Sequence, residues 1–209
     1  MNKEALKRWY EERGDYTHNL NCNLSEDSIV FDVGGYAGGW AEQIYDKYNC
    51  TIYVFEPVKH FYNIIKEKFK NNDKIKVFNI GLGTKSYITD IALCNDGSSI
   101  HRDSSDPLIS GNLNTESVEI VNISEFMHTH NVLSVDLLKL NIEGEEFPLL
   151  EYLIEKNELS KFSNIKIQFH SFMENSVERK QKIREALSES FNLEYDFEFV
   201  WEGWKQKEK

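Results

Sequence analysis

Cysteine is scarce: Cys22, Cys50 and Cys94 are odd in number, widely spaced and without a C-x-x-C pair. This excludes a disulfide framework or a cysteine-based zinc site and fits reduced thiols. Only 3 prolines occur in 209 residues, and no tract rich in Pro, Gly and Ser divides the chain, so residues 1–209 are expected to form one domain. Long apolar runs are missing as well. The opening "MNKEALKRWYEERGDY" lacks the apolar stretch of a signal peptide, nothing downstream approaches a membrane span, and the expected location is cytoplasmic. Positive charge is in deficit, with 24 Lys and Arg against 35 Asp and Glu, a net of −11. Such a field repels a polyphosphate backbone, so nucleic acid is not an expected partner. No internal repeat or low-complexity segment occurs.

What is present is an alternation of short β-branched runs with amphipathic segments. Ser28 to Val33, Thr51 to Phe55 and Ile75 to Ile80 read as strands. Between them, Trp40, Ile44 and Tyr48, and then Val58, Phe61, Tyr62, Ile65 and Phe69, recur at helical spacing. This rhythm predicts βαβ crossovers and a parallel sheet covered by helices. It lapses between Gly81 and Ser134, where Tyr87 to Leu93 and Val118 to Ile123 are candidate strands of an insertion or lid (84–134). It then resumes with strands over Val135 to Ile142 and Asn164 to Phe169 and helices over Glu145 to Lys161 and Val177 to Phe191. The aromatic tail "NLEYDFEFVWEGWKQ" predicts one or two final strands, one of them antiparallel at a sheet edge.

Ligands of open α/β sheets settle at the carboxyl ends of the strands. The first strand is followed by "DVGGYAGG", with Asp32, Gly34, Gly35, Tyr36 and Gly38; the second ends in Glu56 and Pro57. A dinucleotide fingerprint requires G-x-G-x-x-G, but Tyr36 occupies the place of its middle glycine, where a bulky side chain obstructs a pyrophosphate. A carboxylate two residues before the first glycine disfavours phosphate and suits a cation. S-adenosylmethionine is cationic and phosphate-free. Glu56 is placed to accept hydrogen bonds from ribose hydroxyls, as an acid also does in NAD sites. Helix capping by Asp32 and a solvated Glu56 are the purely structural readings of the pair.

Five segments in order, "VFDVGGYAGGW", "YVFEPV", "NIGLG", "SSI" and "LLKLNIEGEEFPLLEYL", resemble the motifs of FkbM-family S-adenosylmethionine-dependent methyltransferases, and "IKIQFH" resembles the end of the family's next core strand. The resemblance runs from about Ser28 to His170. It implies an α/β, Rossmann-like class I methyltransferase fold: a mostly parallel seven-stranded sheet with helices on both faces, its last strand antiparallel at an edge. Outside the resemblance, residues 1–27 are expected to form an N-terminal helical extension. The resemblance further implies that Asp32, Gly34, Tyr36 and Gly38 hold the methionine end of the cofactor, Glu56 the ribose, and Gly81 with Leu82 the adenine. O-methylation of a sugar or of a glycan or natural-product intermediate is the usual reaction. Asn141 stands where the family more often has Asp; it keeps hydrogen bonding without the charge.

Methyl transfer to an alcohol requires in-line positioning and the loss of a proton. His170 and Glu143 are the candidate bases, with Asn141 beside them. Each also has a structural reading, as a strand-end histidine and as a cap on the turn at Gly144. Glu145 and Glu146 suit the first turn of a helix. A divalent metal on Glu143, Glu145 and His170 is chemically possible but not favoured, so the expected metal set is none. His128 and His130, two apart on a helix, face different ways. Trp201 and Trp204 are edge-strand packing or, less favoured, a sugar platform, and the acceptor pocket is expected from Asn95 to Thr115 and the tail. The rival functions are an NAD-dependent oxidoreductase or epimerase, and a non-catalytic cofactor-binding module. The sequence does not give the oligomeric state.

Overall fold

The computed structural model describes residues 2–94, 97–102 and 114–208. Two short helices, α1 (Lys3–Glu11) and α2 (Gly14–Thr17), precede β1 (Ile29–Val33), α3 (Gly39–Tyr48), β2 (Thr51–Phe55), α4 (Lys59–Lys68) and β3 (Ile75–Phe78). Then come β4 (Gly81–Gly83), β5 (Tyr87–Ala92), β6 (Thr115–Asn122) and α5 (Ile123–Thr129). The chain closes with β7 (Val135–Leu140), α6 (Glu146–Glu155), β8 (Phe162–Ile167), α7 (Ser176–Ser190), β9 (Phe191–Phe197) and β10 (Trp201–Gln206).

Seven strands form one sheet in the order β3-β2-β1-β7-β8-β10-β9. All neighbours from β3 to β8 are parallel, and β10 runs antiparallel to both β8 and β9. The antiparallel strand therefore sits one place in from the edge, which β9 takes. Alternation along each strand loads both faces with apolar side chains, as a covered parallel sheet requires. On one face Phe31, Phe55, Leu138, Leu140, Phe147 and Ile167 make the larger core; on the other Val30, Ile52, Val54, Leu137, Ala41 and Ile44 make the second. The predicted helix from Glu145 to Lys161 ends at Glu155, and a short 3₁₀ turn (Leu159–Lys161) leads into β8.

A second sheet, β4-β6-β5, was not visible in the sequence pattern because β4 is only 3 residues long. Val58, Ile91, Val118 and Ile120 form its core against the start of α4, which fixes it above the carboxyl ends of β1 and β2. The tail packs elsewhere. Trp9 of α1 meets Phe197 edge-on at 5.1 Å and stacks with Trp201 at 6.4 Å, while Trp204 joins the main core. Trp201 and Trp204 are thereby enclosed, which removes them as a sugar platform. Among the described residues no helix is long and apolar enough to cross a membrane.

Candidate active site

The strand order reverses between β1 and β7, with β2 beside one and β8 beside the other, and a cavity of about 260 Å³ opens there at the carboxyl ends. Gly34 and Gly35 both donate to Phe55 O, at 3.0 and 3.1 Å, and Asn141 N donates to Val33 O at 3.1 Å, so the three strand ends are tied together below the cavity. Gly34 has φ +84°, and a Cβ there would lie 1.9 Å from Asn141 O; only glycine lets the loop pass that close to the end of β7. A larger depression, about 780 Å³, lies along α7 beside Glu198 and Phe199. Solvated side chains such as Lys182 and Glu185 line it, away from the strand ends, and it brings together none of the predicted site residues.

Gly34, Tyr36, Glu56, Pro57, Gly81, Leu82, Asn141 and Glu143 all border the cavity. Asp32, Gly35 and Gly38 do not. Gly35 rests on Val54 and Gly38 on Phe69 and Ile65, so these two set the packing of the loop. Asp32 is 0 % exposed. It lies directly opposite Lys139 in the β1–β7 register, and Lys139 Nζ bonds Asp32 Oδ1 at 2.7 Å and Gly34 O at 2.8 Å. Burial pushes the Asp32 carboxyl above its ordinary pKa, with Lys139 opposing. Asp32 thus organises the loop from beneath, and its Oδ2 is buried with no hydrogen-bond partner among the described residues.

Glu56 does face the cavity. Its two oxygens accept Tyr36 N–H at 2.8 Å and Val58 N–H at 2.9 Å, which aims the carboxylate and caps the entry to α4. Burial pushes its pKa up to about 7 against the pull of those amides. Asn141 carries a buried Oδ1 with no hydrogen-bond partner among the described residues, an acceptor waiting for a donor at the cavity wall.

The expected acid–base residues converge in one network. Glu143 has φ +50°, a left-handed conformation unusual for Glu, and its carboxylate meets His170 Nε2 at 2.9 Å and Arg102 Nη2 at 2.9 Å. Glu146, fully buried, receives His170 N–H at 2.8 Å, approaches His170 Nδ1 at 3.0 Å and receives Gly144 N–H at 2.9 Å. Burial disfavours the imidazolium, but the hydrogen bonds and charges of Glu143 and Glu146 outweigh it and raise the His170 pKa to about 9. Both ring nitrogens of His170 thus face carboxylates, an environment that favours the imidazolium over the neutral ring that a general base needs. Burial likewise works against charge on Glu143, yet His170 and Arg102 hold its carboxyl below the ordinary value.

Sequence reasoning missed Ser99, His101, Arg102 and Lys139. Ser99 Oγ donates to Glu143 O at 2.6 Å, and His101 Nε2 lies 2.7 Å from Glu145 Oε1. With Arg102 they fasten the 97–102 segment to the turn before α6. Ser99 lies within the "SSI" motif and His101 and Arg102 directly follow it, but their partners lie more than forty residues away in sequence. The rest of the expected acceptor loop, 95–96 and 103–113, lies outside the described residues. No tail residue borders the cavity. His128 is exposed and His130 stacks on Phe126 at 4.2 Å, so they form no pair. Among the described residues no three His, Cys, Asp or Glu side chains converge as a metal set.

The 3-2-1-4-5-7-6 strand order, a glycine turn at the switch point and an acid just past the end of β2 are the arrangement of a Rossmann-like fold with its cavity at the carboxyl ends of the strands. The methyltransferase FkbM domain, as a family, matches residues 32–199. The chain belongs to this family and is an S-adenosylmethionine-dependent methyltransferase. Among curated proteins none matches. Similar folds include a Streptococcus mutans protein assigned as a methyltransferase and solved with S-adenosylhomocysteine (9% identity, TM-score 0.54, covering 95% of this chain and 97% of that one). An rRNA methylase from Streptococcus thermophilus has a TM-score of 0.50 at 10% identity, covering 95% and 96%. At these identities the likeness is one of fold.

Proposed function

We propose that the protein methylates a hydroxyl group of a sugar or of a glycan or natural-product intermediate. The observation that carries this reading is Glu143, a cavity-lining carboxylate fixed by two cations at 2.9 Å each. A hydroxyl suits a carboxylate held in this way, which can accept its hydrogen bond. Phe172, 42% exposed and 4.4 Å from the Arg102 guanidinium, offers the apolar ring face that Trp201 and Trp204 do not.

The residues fit the cofactor. Glu56 would hold the ribose hydroxyls, the close approach at Gly34 leaves room for the amino-acid half, Gly81 and Leu82 would border the adenine, and the unfilled Asn141 Oδ1 suits a donor such as an ammonium. Bound S-adenosylmethionine supplies an electrophilic methyl on a sulfonium. Glu143 would accept the hydrogen bond of the acceptor hydroxyl and take its proton as the methyl passes from sulfur to oxygen, the S–C bond breaking to leave S-adenosylhomocysteine, and would then release the proton to solvent. A carboxylate with a lowered pKa is a weak base, so alignment within a dry site provides most of the acceleration. His170 and Arg102 fix the carboxylate in that alignment.

The test is methyl transfer from isotopically labelled S-adenosylmethionine across a panel of free sugars, sugar nucleotides and glycosides, with an rRNA fragment alongside, read by mass spectrometry. Label on a sugar oxygen supports the reading. Label on the RNA alone, or on none of the panel, overturns it.

A further inference from the structure

Glu146 is the first residue of α6, a place where an acid complements the helix dipole while its carboxylate stays in solvent. Here it is 0% exposed. Its Oε2 accepts the Gly144 N–H at 2.9 Å, and its Oε1 accepts the His170 backbone N–H at 2.8 Å and lies 3.0 Å from His170 Nδ1. Both oxygens are thus spent on the turn before α6 and on the segment after β8. In that turn Glu143 takes φ +50°, a strained backbone for its residue type, and Gly144 follows at φ +110°. On the other side of the imidazole, Nε2 lies 2.9 Å from Glu143 Oε1, and Arg102 Nη2 lies 2.9 Å from Glu143 Oε2. The charged groups facing His170 are therefore Glu143 from the turn after β7 and Glu146 from α6, with Arg102 beyond Glu143. Glu143 borders the cavity, and Glu146 stands behind it.

We infer that Glu146 is a positioning residue for methyl transfer: by holding His170 Nδ1–H and the Gly144 amide, it keeps the Glu143 carboxylate turned into the cavity. Two routes lead from one carboxylate to the other. Through the ring, Glu146 claims the Nδ1 proton and fixes the plane of the imidazole, so that Nε2 presents a proton to Glu143 instead of a lone pair. Through the backbone, it stabilises the left-handed turn from which the Glu143 side chain departs. An acid that only complemented the helix dipole would keep to solvent, because burying a carboxylate carries a desolvation cost. Three donors offset that cost here, and the alignment they fix is what transfer depends on. The inference rests on the reading of Glu143 as the group that meets the acceptor hydroxyl.

The experiment compares the wild type, Glu146→Gln, Glu146→Asp and Leu153→Ala. It reads nitrogen NMR of the histidine rings at pH 8, melting temperature, S-adenosylhomocysteine calorimetry, and turnover of labelled S-adenosylmethionine with the panel member that takes the methyl. The wild-type His170 ring is expected to carry a proton on both nitrogens at that pH. In Glu146→Gln its signals should move toward those of a neutral imidazole, and kcat should fall about tenfold to a hundredfold, as for a misplaced catalytic group, with S-adenosylhomocysteine affinity unchanged. Aspartate keeps the charge and should restore part of both. Leu153, buried further along α6, controls for stability alone: Leu153→Ala should lower the melting temperature and leave the His170 signals in place. Unchanged ring signals in Glu146→Gln overturn the inference, as does a wild-type kcat, or a kcat lost together with S-adenosylhomocysteine binding, which would mark a collapsed cavity. Failure of either Glu146 variant to fold overturns it too, by making the residue a requirement of the fold. If no panel member is methylated, the acceptor reading falls, and a crystal structure of Glu146→Gln decides the inference: the Glu143 carboxylate should leave its place between His170 and Arg102, and an unmoved carboxylate overturns it.

Discussion

Lys139 Nζ lies 2.7 Å from Asp32 Oδ1, and the two residues stand directly opposite each other across β1 and β7. Both side chains are sealed from solvent, at 6% and 0% exposure. Lys139 also bonds Gly34 O at 2.8 Å, so one ammonium joins the end of the first strand, the fourth strand in sheet order and the turn that opens the cavity. The motif acid and its lysine together hold the loop in place.

Removing the lysine should therefore cost stability and binding together. Lys139→Met leaves Asp32 buried without its counter-charge, a loss of about 3–5 kcal/mol for such pairs. Asp32→Asn with Lys139→Met should recover a substantial part of it. Urea unfolding of the two variants measures the difference.

Gly34→Ala should be worse tolerated than any other single-methyl change in the loop. The added Cβ would lie 1.9 Å from Asn141 O at a φ of +84°, so either β7 or the turn must move. The expected outcome is loss of S-adenosylhomocysteine binding in calorimetry even if the variant remains folded.

His170 gives stability a pH dependence of defined sign. With its folded pKa raised to about 9 against about 6.5 in the unfolded chain, its contribution is complete below about pH 6.5 and disappears as pH rises through 9. The shift corresponds to up to about 3 kcal/mol. Melting temperatures of the wild type should fall between pH 6.5 and 9.5, and those of His170→Gln should fall less across the same window.

Glu56 gives cofactor binding a pH dependence of its own. Its pKa of about 7 leaves it increasingly protonated below neutrality, and a neutral carboxyl accepts less strongly from ribose hydroxyls. Affinity for S-adenosylhomocysteine should fall as pH drops from 8 to 6. Glu56→Gln should bind weakly at both ends of the range, and calorimetry at several pH values checks both statements.

Much of this architecture was legible. The β-branched runs from Ile29, Thr51 and Val135, with helical spacing between them, announce the parallel sheet because each strand must bury both faces. The glycines after Asp32 and the acid at the end of β2 mark the cavity because the chain turns there at a switch point. Pairing across the sheet was not legible, since it depends on register. The clue was present, however: a lysine inside the buried run "VDLLKL" needs a buried carboxylate, and Asp32 was the candidate. Ser99, His101 and Arg102 were hidden for a different reason. They lie in an irregular segment whose position is set by the β4-β6-β5 sheet, and no local periodicity reports contacts that distant. The environment of His170 was equally invisible, because Glu143 and Glu146 close on it only once β7 and β8 lie side by side.

The most direct test is a crystal structure of the protein with S-adenosylhomocysteine. The account predicts the ribose hydroxyls on Glu56, a donor of the amino-acid half near Asn141 Oδ1, and the sulfur facing Glu143. A ligand bound elsewhere, or one whose sulfur turns away from Glu143, would contradict it.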